Sequence, residues 1–284
     1  MTGTPGGGDG LGGGDLASDE LDGALATFSR AALAGKTALV TGGGTGMGAE
    51  IAAGFAALGA DVAVLSRNPD HLRAVAARVE AAGRRSLMLA CDVRQPDQVA
   101  AAMATMTAEL GRIDVLVNSA AGNFRCPAAE LSPNGWRTVI DIDLNGTFFC
   151  SQAAAAAMRA AGGGVIINVT GDFTGTHGDR MAHAAAAKAG IDSLTRSLAK
   201  EWGPDGIRVN ALAPGPFETA GGAQALGRPE AFGEIGARLP LGRIGRMDEI
   251  VAAAVFLASD AAAFMTGATL VVDGGHSWSG YDLP

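Results

Sequence analysis

ALVTGGGTGMGAEIA, residues 38–52, reads as the end of a strand, a glycine-rich turn and the opening of a helix. A short aliphatic run leads into Thr41; glycines then fall at 42, 46 and 48, a G-x-x-x-G-x-G spacing, before the small-residue pattern of a helix takes over. Glycines allow a tight turn and let the backbone approach a pyrophosphate where the first N–H groups of a helix point outward. A glycine-rich turn alone could equally be a structural loop. Its place after a strand and before a helix is what a dinucleotide site requires. On that reading Gly42, Thr45, Gly46, Met47 and Gly48 form the phosphate turn.

Outward from this stretch, short β-branched runs alternate with longer Ala/Leu-rich segments. Strands are expected at 37–41, 61–66, 86–91, 113–118, 165–169, 208–211 and 269–272, with helices that include 49–58, 71–82, 99–110 and 184–202. Strand–helix alternation implies a parallel sheet with helices on both faces, and the near-continuous apolar strands suit burial on two sides. The expected fold is α/β: a single, doubly wound Rossmann-type domain over residues 35–284 with a mostly seven-stranded parallel sheet. Residues 1–34, acidic and Gly-rich at first, are expected to be a flexible tail and lead-in. The irregular stretch 215–241 is where a substrate lid would lie.

Composition narrows the function classes. A net charge of −8 argues against nucleic acid as the main partner. No apolar run is long enough to span a membrane. Cys91, Cys126 and Cys150 are odd in number and widely spaced, which fits reduced thiols rather than a disulfide framework or zinc site. His177 and His276 lack ligand-like spacing, so no metal is expected. The C-terminal WSGYDLP is not an S-K-L address, and a cytoplasmic location is the expectation.

The second strand ends in VLSRN. Enzymes that prefer NAD place an acidic residue there; Ser66 and Arg67 occupy the place instead, and Arg67 could pair with the 2′-phosphate of NADPH. Arg67 could otherwise simply cap a surface loop.

TGGGTGMG (41–48), CDV (91–93), NSAAG (118–122), the lysine of the 184–202 helix, PGP (214–216) and GATLVVDGG (267–275) occur in this order. Together they resemble the short-chain dehydrogenase/reductase family over about residues 35–275. The resemblance implies that Asp92, with Val93, lies at the adenine, that Asn118, Ala120 and Gly122 lie beside the cofactor, and that Pro214, Gly215 and Phe217 line the nicotinamide. It also implies a homotetramer. The family's Y-x-x-x-K is broken here: Lys188 matches the lysine, but Ala184 stands at the tyrosine position. The serine position falls at 170–171, and Asp143 replaces the helix asparagine. The single tyrosine, Tyr281, lies in the C-terminal tail. Alcohol–ketone chemistry by the family's usual route is therefore not expected.

AAGNF (120–124), ELSPNGW (130–136), DIDLNGTF (141–148), AHAAAAKAG (182–190), EWGP (201–204) and APGPF (213–217) are similar to the 2,4-dienoyl-CoA reductases, in particular the peroxisomal type; the mitochondrial type's tyrosine position aligns with Phe173. That resemblance implies hydride transfer from NADPH to the δ carbon of a dienoyl thioester and protonation of the dienolate at the α carbon. It implies catalytic roles for Asn123, as donor to the thioester oxygen, for Lys188, at the nicotinamide ribose, and for Asp143, through a water to Lys188. Asn123 could also be a turn residue, Lys188 a solvated lysine and Asp143 a surface carboxylate; its helix face, shared with Ile140 and Thr147, favours partial burial. For an acyl-CoA substrate the resemblance implies contacts from Arg94, Phe124 and Ser132. A further substrate arginine aligns with Ala225, and Arg228 could substitute. His183 stands beside the tyrosine position rather than on it, about 100° around the helix axis, and is not expected to replace the phenol. Two readings compete: a short-chain reductase of another activated enone, and a cofactor-binding protein without turnover.

Overall fold

The computed structural model describes residues 23–171, 179–219 and 231–279. Among these, seven strands form one parallel sheet in the order β3-β2-β1-β4-β5-β6-β7: β1 Thr37–Thr41, β2 Asp61–Ser66, β3 Ser86–Ala90, β4 Val115–Asn118, β5 Gly164–Val169, β6 Ile207–Pro214 and β7 Thr269–Val272. The helices are α1 Gly46–Ala57, α2 Asp70–Ala81, α3 Pro96–Leu110, α4 Pro133–Ile140, α5 Gly146–Ala160, α6 Ala182–Trp202, α7 Ala231–Arg238, α8 Met247–Ala258 and α9 His276–Ser279. The doubly wound α/β expectation holds. The sixth strand is longer than expected, because its register against β7 runs through Pro214.

Alternation along the strands divides the core in two. Ala38, Val40, Val62, Val64, Val115 and Val117 face α1, α2 and α8, while Leu39, Leu65, Leu116 and Ile166 face α3, α5 and α6. Period-two alternation sends adjacent residues to opposite faces, so strands this apolar need helices on both. The lead-in is part of the first layer: Leu25 and Leu33 are fully buried, and Ala24 N–H donates to Asp248 Oδ2 at 2.8 Å. The lead-in residues thus pack against the folded unit.

Strand order reverses between β1 and β4, and ligands of open α/β sheets bind at such a switch point beyond the carboxyl ends of the strands. Thr41 fixes that edge. Its Oγ1 accepts the backbone N–H groups of Ser119 and Ala120 at 3.0 and 3.1 Å, tying the end of β1 to the end of β4.

Candidate active site

The phosphate turn is set by backbone contact. Gly42 has φ +64° and lies against Ala120, whose Cα would be 2.8 Å from an added Cβ. A Cβ on Gly48 would strike the Gly42 carbonyl oxygen at 2.6 Å. Gly46, at φ +55°, has no atom within 4 Å of its Cβ position, so open space lies beside the first turn of α1. Thr45 is the N-cap but makes no side-chain capping bond. The first four N–H groups of a helix have no partner within it. An open cradle at an uncapped helix start fits the pyrophosphate of a dinucleotide.

Ser66 ends β2 with its Oγ accepting Asn68 N–H at 3.2 Å, and Arg67 beside it is exposed. Arg94, expected to reach a substrate phosphate, is tied to Asp92: Nε lies 3.0 Å from both carboxylate oxygens and an Nη lies 2.6 Å from Oδ2. The Arg94 hydrogen bonds are the largest influence holding the Asp92 carboxyl below the usual carboxylate range. Buried Asn118 donates to Ser151 Oγ and Asn168 Oδ1, and Asn168 donates to Thr195 Oγ1, all at 2.9 Å. Phe217 is buried with its ring against Gly245.

Asp143 is placed by an irregularity. Between α4 and α5, residues Asp141–Asn145 form a π-helical turn in which Gly146 N–H bonds the carbonyl of Asp141, five residues back. Such turns recur at functional sites because they redirect side chains within an otherwise regular helix. Asp143 points inward, 1% exposed; its Oδ1 accepts Gly122 N–H at 2.8 Å and its Oδ2 lies 3.4 Å from Lys188 Nζ. Lys188 also donates to the Val169 carbonyl at the end of β5, at 3.0 Å. The side chains of Asp143 and Lys188 thus lie at ion-pair distance. Burial is the largest influence on Asp143 and pushes its carboxyl above the usual range; Lys188 and the Gly122 N–H oppose it in part.

The structure adds His183. It is fully buried, lies within electrostatic reach of Asp143 and packs on Phe124 with ring centroids 4.6 Å apart. The signal for it was available: counting back from Ile191 in steps of four along the buried face of α6 gives Ala187, then His183. Ala184 is also buried, so the helix presents a methyl group where a phenol was sought.

The remaining expected contacts are less converged. Asn123 is exposed, Phe124 is 43% exposed, and Ser132 caps α4 by accepting Gly135 N–H at 3.0 Å. Cys126 N–H bonds the Arg180 carbonyl at 2.9 Å, pinning the loop after Phe124 to the start of α6. Arg228, Phe173, Ala225, His177 and Tyr281 lie outside the described residues. Among the described residues no helix is long and apolar enough to cross a membrane.

A parallel sheet with a glycine turn at its switch point, and a buried lysine–carboxylate pair beyond the ends of β4 and β5, defines a Rossmann-type oxidoreductase. The chain belongs to the short-chain dehydrogenase/reductase family: the family model described as "Enoyl-(Acyl carrier protein) reductase" matches residues 42–277. It is 44% identical over 244 residues to a probable 2,4-dienoyl-CoA reductase, (2E)-enoyl-CoA-producing, of Bacillus subtilis, covering 85% of this chain and 96% of the relative. It is 45% identical over 245 residues to the peroxisomal 2,4-dienoyl-CoA reductase, (3E)-enoyl-CoA-producing, of Pongo abelii, covering 84% and 83%. A gluconate 5-dehydrogenase from Burkholderia cenocepacia, crystallised with NADP and tartrate, superposes with a TM-score of 0.82 at 36% identity, covering 87% of this chain and 96% of that one.

Proposed function

We propose that the protein reduces 2,4-dienoyl-CoA thioesters to enoyl-CoA with NADPH, as a step in the oxidation of unsaturated fatty acyl chains. The observation that carries this reading is the buried Asp143–Lys188 pair, one helical turn from a position that holds Ala184 and no phenol. A relative named for dienoyl-CoA reduction from each of two distant organisms supports the substrate class.

When bound, NADPH supplies the hydride that adds at the δ carbon. The electron pair then shifts toward the thioester, and negative charge grows on its oxygen. Hydrogen-bond donors aimed at that oxygen stabilise the dienolate, the role assigned to Asn123. Asp143, held toward its protonated form by burial, gives its proton to the α carbon, and Lys188 stabilises the carboxylate left behind. Protonation at the α carbon leaves the double bond between the β and γ carbons. Gly42, Thr45, Gly46, Met47 and Gly48 would hold the pyrophosphate. Ser66 and Arg67 would hold the 2′-phosphate, with Asp92 and Val93 at the adenine. Asn118, Ala120 and Gly122 would flank the cofactor, and Pro214, Gly215 and Phe217 the nicotinamide. The acyl-CoA would meet Phe124, Ser132, Arg228 and Arg94, the last after exchanging its contact with Asp92. A homotetramer in the cytoplasm completes the reading.

Loss of NADPH absorbance on adding a 2,4-dienoyl-CoA tests it, with secondary alcohols and NADP as the contrasting assay. Dienoyl-CoA turnover without alcohol oxidation is expected. Folded, NADPH-bound protein that oxidises alcohols and leaves dienoyl-CoA unchanged would remove the assignment.

A further inference from the structure

His183 differs from the buried polar side chains around it, each of which makes at least one hydrogen bond even where an atom such as Asn118 Oδ1 or Asp143 Oδ2 is left over. Asn118, Ser151, Asn168 and Thr195 are joined in one hydrogen-bonded chain, and Asp143 has Gly122 and Lys188. The imidazole of His183 is 0% exposed, and neither Nδ1 nor Nε2 has a hydrogen-bond partner among the described residues. A neutral imidazole carries one donor and one acceptor, and a charged one carries two donors, so every protonation state leaves buried ring atoms without a hydrogen bond among the described residues. The fold has no need of the ring: its neighbours on α6 are alanines, and an aliphatic side chain would fill the space without that cost.

What covers the ring matters as well. Phe124 lies over it at 4.6 Å and an interplanar angle of 53°, yet Phe124 is itself 43% exposed. A side chain at the solvent boundary thus packs on a wholly buried imidazole that lies within electrostatic reach of Asp143. A planar conjugated chain taking the place of the Phe124 ring would lie against the imidazole, with α6 unmoved.

We propose that His183 is a substrate-binding residue whose ring, unpaired in the ligand-free protein, donates a hydrogen bond to the thioester oxygen of the acyl substrate. The proposal rests on the functional reading above and adds a second donor to the one expected from Asn123. No proton is transferred: the bond strengthens as charge builds on the oxygen and relaxes when the α carbon is protonated.

The test compares His183→Leu, which keeps the approximate volume and removes both nitrogens, with His183→Gln, which restores a donor. Three quantities are measured: the thermal midpoint without ligand, NADPH affinity by titration, and steady-state turnover of a 2,4-dienoyl-CoA. The Leu variant should melt at or above wild type and bind NADPH normally, while kcat/KM falls about 10²-fold and Gln recovers part of the loss. A Leu variant that melts well below wild type, with Gln restoring the midpoint, would show that the ring serves the fold and overturn the proposal. So would a Leu variant whose turnover stays within about twofold of wild type. If wild type itself does not turn over dienoyl-CoA, the functional reading fails. The ligand-free midpoints still decide whether His183 is held for a ligand or for the fold.

Discussion

The two halves of the cleft are built by different means. On the side of β1 to β3, the phosphate turn is shaped by backbone packing: Gly42 and Gly48 sit where a side chain would collide with Ala120 or the Gly42 carbonyl. On the side of β4 to β6, the site is shaped by buried side chains. Asp143, His183 and Lys188 are brought together by a π-helical turn, one face of α6 and the end of β5. The first half needs little more than glycines and a helix start. The second holds charge and polar atoms without hydrogen-bond partners out of water, as the proposed chemistry requires.

If that division is right, substitutions on the two sides should fail differently. Asp143→Ala should lower kcat by about 10²- to 10⁴-fold, the range of general acid catalysis, and leave NADPH affinity nearly intact. Steady-state kinetics alongside a cofactor titration reads both, and a parallel loss of NADPH binding would blur the two halves into one. Gly42→Ala should cost about 2–3 kcal/mol of stability, because a left-handed residue would also meet Ala120. Gly46→Ala, with open space around it, should cost about 1–2 kcal/mol, and NADPH affinity should fall as the methyl enters the cradle. Denaturant unfolding with and without NADPH separates the pair. Arg67→Ala should weaken NADPH about ten- to a hundred-fold and leave NADH nearly unchanged, since a charge-assisted bond to one phosphate is at stake. Equal losses for both cofactors would return Arg67 to a loop role.

The smallest effect expected is a slope in pH. Burial raises the Asp143 carboxyl, so the folded chain binds its proton more tightly than the unfolded chain does. Between the ordinary carboxylate value and the raised one, the folded state holds more protons and loses stability as pH rises. The stability of wild type relative to Asp143→Asn should therefore shrink by about 1.4 kcal/mol per pH unit inside that window, and be flat above and below it. Unfolding curves for the two proteins across pH measure it. A gap that widens with pH would mean that Lys188 outweighs burial.

Much of this was legible before any coordinates. The period of the apolar residues located the sheet, and the glycine spacing located the tight turn after β1, because backbone constraints write themselves into residue identity. Asp143 and Lys188 were found by resemblance, and the face shared with Ile140 and Thr147 foretold burial of the carboxylate. Three things were not read. Leu25 and Leu33, in the lead-in, were given no part in the core, since two leucines in an irregular segment carry no period. The π-helical turn at Asp141–Asn145 has no sequence signature, being a choice between hydrogen-bond partners one residue apart. The burial of His183 was not read because the residue was judged only by its angle from Ala184, whereas the buried face of α6 includes both.

The claim that a buried carboxylate beside Lys188 has taken over from a phenol is tested most directly by following the proton. Wild type and Asp143→Asn are run with NADPH and a 2,4-dienoyl-CoA in heavy water, and the product is located by NMR. The account predicts that wild type places one deuterium on the α carbon with the double bond between β and γ, and that Asp143→Asn forms this product far more slowly. Deuterium on the γ carbon with the double bond between α and β, or an Asn variant as fast as wild type, would contradict it.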